Sequence, residues 1–89
     1  MLRKSLMINP MDSVVMVLED AKKGDSVVTP KGTVTLVEDV EFAHKASISD
    51  MKKGQPVIKY GEEIGYLLKD VSAGSWIHVH NMGCDRGKI

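Results

Sequence analysis

A mainly β domain built of short strands is what this sequence predicts, and three observations carry the prediction. Apolar and β-branched residues come in short runs, at residues 14–18, 26–29, 33–37 and 56–60, which suit strands better than helices. Glycine is frequent, 8 of 89 residues, and it falls between those runs, where corners are needed. Few stretches hold the 3.6-residue apolar period of an amphipathic helix, and aromatics make up only 4% of the chain. The length sets one domain, which buries only about 60–65% of its unfolded surface and so has a small margin of stability.

Residues 1–6 read as a ragged edge ahead of the domain, and 7–10 as extended chain, because a residue before Pro10 avoids the α region. Asp12 and Ser13 cap the next segment, and Val-Val-Met-Val-Leu at 14–18 is the first strand. A polar turn at 19–24 ends in Gly24. Residues 26–29 form a short strand stopped by Pro30, Lys31-Gly32 is a tight turn, and 33–37 is the next strand. Residues 44–48 are strand-like, and 49–54 make one helical or 3₁₀ turn closed by Gly54. A strand at 56–60, a two-glycine turn at 61–65 and a short apolar run at 66–68 come next. The last strand is expected at 76–81.

A recurring corner runs through this order. Ala21-Lys22-Lys23-Gly24, Met51-Lys52-Lys53-Gly54 and Val71-Ser72-Ala73-Gly74 share an apolar anchor, two residues and a glycine, and a strand then departs. The glycine supplies a backbone angle that a Cβ would penalise. The intervals between the three glycines are unequal, which excludes a solenoid period and points to pseudo-symmetry in one compact β structure.

Composition excludes several function classes. Lys+Arg and Asp+Glu are both 12 and are interspersed, so the net charge is zero and nothing suggests nucleic acid. Cys84 is the single cysteine, so there is no internal disulfide, and a lone thiol in a Gly-rich tail fits a reducing compartment. No apolar run reaches signal-peptide or membrane-span length, and the cytoplasm is the expected location.

The chemistry concentrates in Trp76-Ile77-His78-Val79-His80-Asn81. On a strand, His78 and His80 would share one face about 6.6 Å apart, with Ile77 and Val79 turned to the core. Two imidazoles and a carboxamide could hold a metal or a sugar acid, although a metal needs at least a third ligand. The alternative is a pair of ordinary strand histidines. Trp76 reads as a core or interface anchor, Lys59 as solvated surface, and Tyr60-Gly61 as a structural corner.

These residues also carry a resemblance. His44-Lys45, Val57-Ile58-Lys59-Tyr60-Gly61, Ile64-Gly65 and the closing Gly74-Ser75-Trp76-Ile77-His78-Val79-His80-Asn81 resemble the SAF domain, and most closely that of the UxaA-type altronate and galactarate dehydratases. The likeness runs over 12–82, leaving 1–11 as an N-terminal segment and 83–89 as a flexible tail. Ala43 stands where that family usually has Gly, and Ile77 where it has Val. The resemblance implies a β-clip fold of short bent strands with one or two helical turns. It implies a role in dehydrating sugar acids, with the small domain joined to a much larger catalytic domain or supplied as a separate small subunit, as in the related sulfolactate sulfo-lyase. A small subunit working with a separate large one is the expectation here. It also implies a divalent cation, iron(II) in that family.

On that reading His44, His78 and His80 are the catalytic candidates, Lys45 and Asn81 would bind the substrate, and His78 with His80 would touch the metal. A neutral imidazole suits removal of the proton beside a carboxylate during elimination of water. The other reading is a non-catalytic SAF-type module that binds a carbohydrate acid or a protein. An exposed sheet edge would also suit pairing of two copies.

Overall fold

The computed structural model describes residues 1–83, and its regular structure is all strand. The strands are β1 (Leu2–Leu6), β2 (Val14–Val17), β3 (Ser26–Thr29), β4 (Gly32–Thr35), β5 (Lys45–Ser47), β6 (Pro56–Lys59), β7 (Glu62–Leu67), β8 (Trp76–Ile77) and β9 (Met82–Gly83). Six of them form one sheet in the order β4-β3-β1-β2-β5-β8, and the others form a sheet ordered β6-β7-β9. The mainly β expectation holds. Among the described residues no helix is present, and the segment expected as a helical turn at 49–54 is a tight turn with Gly54 at φ 85°.

Among the described residues the recurring corner occurs four times rather than three. Val40-Glu41-Phe42-Ala43 is the fourth, and Ala43 takes the glycine's place at φ 70°. The corners pair through their anchors, Ala21 bridging Val40 and Met51 bridging Val71. An aspartate precedes each anchor and clamps the opposite corner. Asp39 accepts the Lys23 N–H and Asp20 the Phe42 N–H, at 2.8 and 2.9 Å. Asp70 and Asp50 do the same for Lys53 and Ala73. The chain is thus two similar halves, with β3, β4 and β5 answered by β6, β7 and β8.

Each half has its own core. Ala21, Val27, Leu36, Val40 and Ala46 pack together in the first, and Met51, Val57, Leu67 and Ile77 in the second. β2 serves both, because alternate residues of a strand face opposite ways. Val15 and Val17 join the first core, and Val14 the second.

Four expectations are corrected. Residues 1–6 are no loose edge: β1 runs parallel to β3 and antiparallel to β2 inside the sheet. The Arg3 guanidinium fastens it, donating to Asp25 and Glu19 at 2.9 and 3.0 Å. The turn expected at 61–65 shrinks to Tyr60-Gly61, at φ 56° and 76°, as a two-residue hairpin loop requires. Gly65 therefore lies inside β7, where a Cβ would sit 2.2 Å from the Gly83 carbonyl of neighbouring β9. Gly83, expected in a flexible tail, pairs with Tyr66. Cys84 and the remainder of that tail lie outside the described residues.

The fourth correction bears on function. The strand expected at 76–81 ends at Ile77, and 78–81 form a turn. Asn81 causes it. Its Oδ1 accepts the His78 N–H at 2.9 Å, and its Nδ2 donates to the Trp76 carbonyl at 2.9 Å. The Asn81 and Met82 N–H groups both return to the His78 carbonyl. Val79 is left 74% exposed at the turn, not in the core.

Candidate functional site

His44 leaves the fourth corner just before β5, and β5 pairs with β8. That pairing brings His44 to the histidines of the C-terminal turn, far away in sequence. Trp76 is where they meet. Its ring centroid lies 5.7 Å from His44, 5.4 Å from His78 and 4.8 Å from His80. The His78 ring is stacked on the indole, 11° from parallel, and the His44 and His78 rings meet edge-on at 5.6 Å. The three imidazoles named from the sequence are therefore gathered at one place. Their common face comes from the turn and the indole, not from strand alternation. His44 and His78 are half-buried and His80 is exposed.

Lys45 does not join them. Residues opposite one another in a ladder share a face, and Ala46 lies opposite Trp76 while Lys45 lies opposite Ile77. The Lys45 side chain therefore leaves β5 on the side away from the indole. Burial there lowers its pKa below the ordinary lysine value, and the like charge of Lys59 lowers it further. Lys59 also sits over the Tyr60 ring at 4.8 Å. Asn81 is buried, and its carboxamide is turned to the backbone of Trp76 and His78.

A cavity of about 150 Å³ opens beside the cluster, lined by Asp39, Glu41, His44 and Trp76. The His44 Nδ1 lies 3.2 Å from the Phe42 carbonyl, so one of its ring nitrogens has a backbone neighbour. Two contributors were missed by sequence reasoning. Glu38 accepts the Trp76 N–H at 3.0 Å, and Trp76 itself was read only as an anchor. The signal for Trp76 was its position, two residues before His78 and next to the strand that carries the His44 segment.

Among the described residues no group of three or more His, Cys, Asp or Glu side chains is arranged to hold an ion. The imidazoles are packed on the indole and do not form a complete ligand set. Among the same residues, no helix is long and apolar enough to cross a membrane.

The sequence is similar to known proteins. The sequence profile of the altronate/galactarate dehydratase SAF domain matches residues 3–85. Altronate dehydratase of Escherichia coli (strain K12) is 45% identical over 74 residues, which is 83% of this chain and 15% of that protein. Altronate dehydratase of Bacillus subtilis (strain 168) is 30% identical over 80 residues, 90% of this chain and 16% of that protein. The (2R)-sulfolactate sulfo-lyase subunit alpha of Paracoccus pantotrophus is 38% identical over 48 residues, 54% of this chain and 72% of that subunit. The chain thus spans about one-sixth of the two altronate dehydratases it matches. With the profile covering nearly the whole chain, this protein belongs to the altronate/galactarate dehydratase SAF-domain family.

Proposed function

We propose that the chain is the small subunit of a sugar-acid dehydratase and contributes His44, His78 and His80 to a site completed by a separate large subunit. The observation that carries the reading is the convergence of all three imidazoles on Trp76. Relatives are a region of larger dehydratases or a named subunit of a lyase, which suits a chain that works with a partner.

Elimination of water from a hydroxy acid needs a base for the proton beside the carboxylate and an acid for the departing hydroxyl. A neutral imidazole of the cluster would take that proton through a ring nitrogen. His44 is the best placed, because it also borders the open cavity. The departing hydroxyl would be protonated from the large subunit, and any iron(II) would draw most of its ligands from there. Asn81 holds the turn that presents His78. Lys45, on the other side of β5, would meet a substrate carboxylate only if the large subunit brings that face into the site.

The test is reconstitution of the chain with its large subunit, followed by turnover of altronate and galactarate. Alanine at His78 together with His80 is expected to lower turnover by about 10²-fold or more. Turnover within a few-fold of the parent would remove the catalytic role. A chain that recruits no partner and still binds a sugar acid would make it a binding module.

A further inference from the structure

We propose that Trp76 is a positioning residue that fixes His44, His78 and His80 as one unit. The role rests on the dehydratase reading for its chemical purpose, but its geometry is independent of that reading. Trp76 is the one ring among the described residues that meets all three imidazoles, one of them in a parallel stack. A flat indole limits the rotation of each imidazole against it. His80 gains most, because it is the exposed one of the three.

The platform is itself held at both ends of its residue. The Trp76 N–H donates to Glu38 at 3.0 Å, and the Trp76 carbonyl accepts from Asn81 at 2.9 Å. Gly74 lies just ahead, packed so closely on the Thr35 carbonyl that a Cβ would come within 2.1 Å of it. β8 is thereby pressed onto the chain that leads from β4 toward the corner bearing His44. The Asn81 carboxamide ties Trp76 and His78 into one turn, so platform and stacked imidazole cannot shift independently.

Trp76 also packs against the first core, but core filling alone does not account for the choice of residue. The indole Nε1–H is buried and has no hydrogen-bond partner among the described residues. A buried donor without an acceptor is destabilising, and a phenyl ring at this position would not carry that cost. What tryptophan adds over phenylalanine is area, enough for three imidazoles at once.

The experiment compares the parent chain with Trp76→Phe and Trp76→Leu, each with isotope-labelled histidine. Imidazole carbon–proton correlation spectra report the ring current of the indole. In the parent, signals of all three imidazoles are expected to be displaced from free-histidine positions. In Trp76→Leu all three should return together, with the amide signals of both cores retained. Trp76→Phe keeps an aromatic ring against the core, guards against loss of fold, and should give smaller displacements. In the reconstituted enzyme turning over altronate, Trp76→Leu should lower kcat at least about ten-fold with KM within two-fold, the mark of misplaced rather than lost groups. Imidazole signals unmoved in both variants would overturn the proposal, as would moved signals with kcat unchanged. Signals that move together while the parent pair eliminates water from no sugar acid would support the positioning and sink only the dehydratase reading.

Discussion

Asp50 and Asp70 clamp each other's corners. Asp50 Oδ1 accepts the Ala73 N–H, three residues past Asp70, and Asp70 Oδ1 accepts the Lys53 N–H, three residues past Asp50, both at 2.8 Å. Asp20 and Asp39 repeat the exchange in the other half, on Phe42 and Lys23. The apolar anchor after each aspartate bridges the anchor of its partner corner.

Removing one clamp should therefore loosen two corners. Asp70→Ala is expected to cost about 1 kcal/mol, the net worth of one such hydrogen bond. In a domain of this size that lowers Tm by about 4–8 °C. Calorimetry on Asp50→Ala, Asp70→Ala and the double variant would check it. Fully additive losses would show that the two clamps act separately and not as an exchange.

The corner residues form a graded series. Ala43 holds a left-handed angle that glycine adopts freely, so Ala43→Gly should raise stability by up to about 1 kcal/mol. Gly54→Ala meets nothing within 4 Å and suffers only the backbone penalty, about 1–2 kcal/mol. Gly74→Ala adds the collision with the Thr35 carbonyl and should be the worst of the three. Thermal midpoints should fall in the order Ala43→Gly, parent, Gly54→Ala, Gly74→Ala.

Acid should weaken the join between the N-terminal loop and the β6–β7 hairpin. Burial pushes the Asp12 pKa up, but backbone N–H groups of Gly61, Asn9, Tyr60 and Ile8 outweigh it and hold the group below the usual carboxylate range. The unfolded chain then binds the proton more readily, so this stability is complete above about pH 4 and is lost as pH falls through the lowered folded value. Asp12→Asn should be less stable than the parent at neutral pH, and the gap should narrow as pH falls below about 4. A gap that stays constant with pH would refute the linkage.

At Lys45 stability also rises with pH, but there folding favours the neutral form and not the charged one. Its folded pKa is lowered by burial and by Lys59, so the charged form opposes folding, and stability rises as pH climbs from the lowered value toward the ordinary 10.5. Lys45→Met is expected to leave stability unchanged or higher at neutral pH. Lys59→Ala should raise the Lys45 titration midpoint, read from carbon-labelled dimethyl-lysine signals.

The strands at 14–17, 26–29 and 56–59 were legible because β-branched runs end there at glycine, proline or polar corners. β1 was not, because Leu2–Leu6 has no β-branched residue and owes its place to pairing with β3, more than twenty residues away. The fourth corner escaped because Ala43 replaced the expected glycine, although Asp39 marked it as surely as Asp20, Asp50 and Asp70 mark the others. His78 and His80 were paired for a partly wrong reason, and His44 was named from the resemblance alone. Spacing suggested a strand, but Asn81, read as a possible strand-end cap or substrate donor, reverses the chain. The separation of Lys45 from His44 was readable from alternation alone once β5 was placed.

β2 has a consequence of its own. One four-residue strand lends Val15 and Val17 to one core and Val14 to the other. Neither core can open along that strand without exposing part of its neighbour. The halves therefore melt together, and amides in Val27 and Val57, one from each core, should exchange with solvent at the same opening free energy. The repetition visible in the chain is not a division into parts that can be cut from one another.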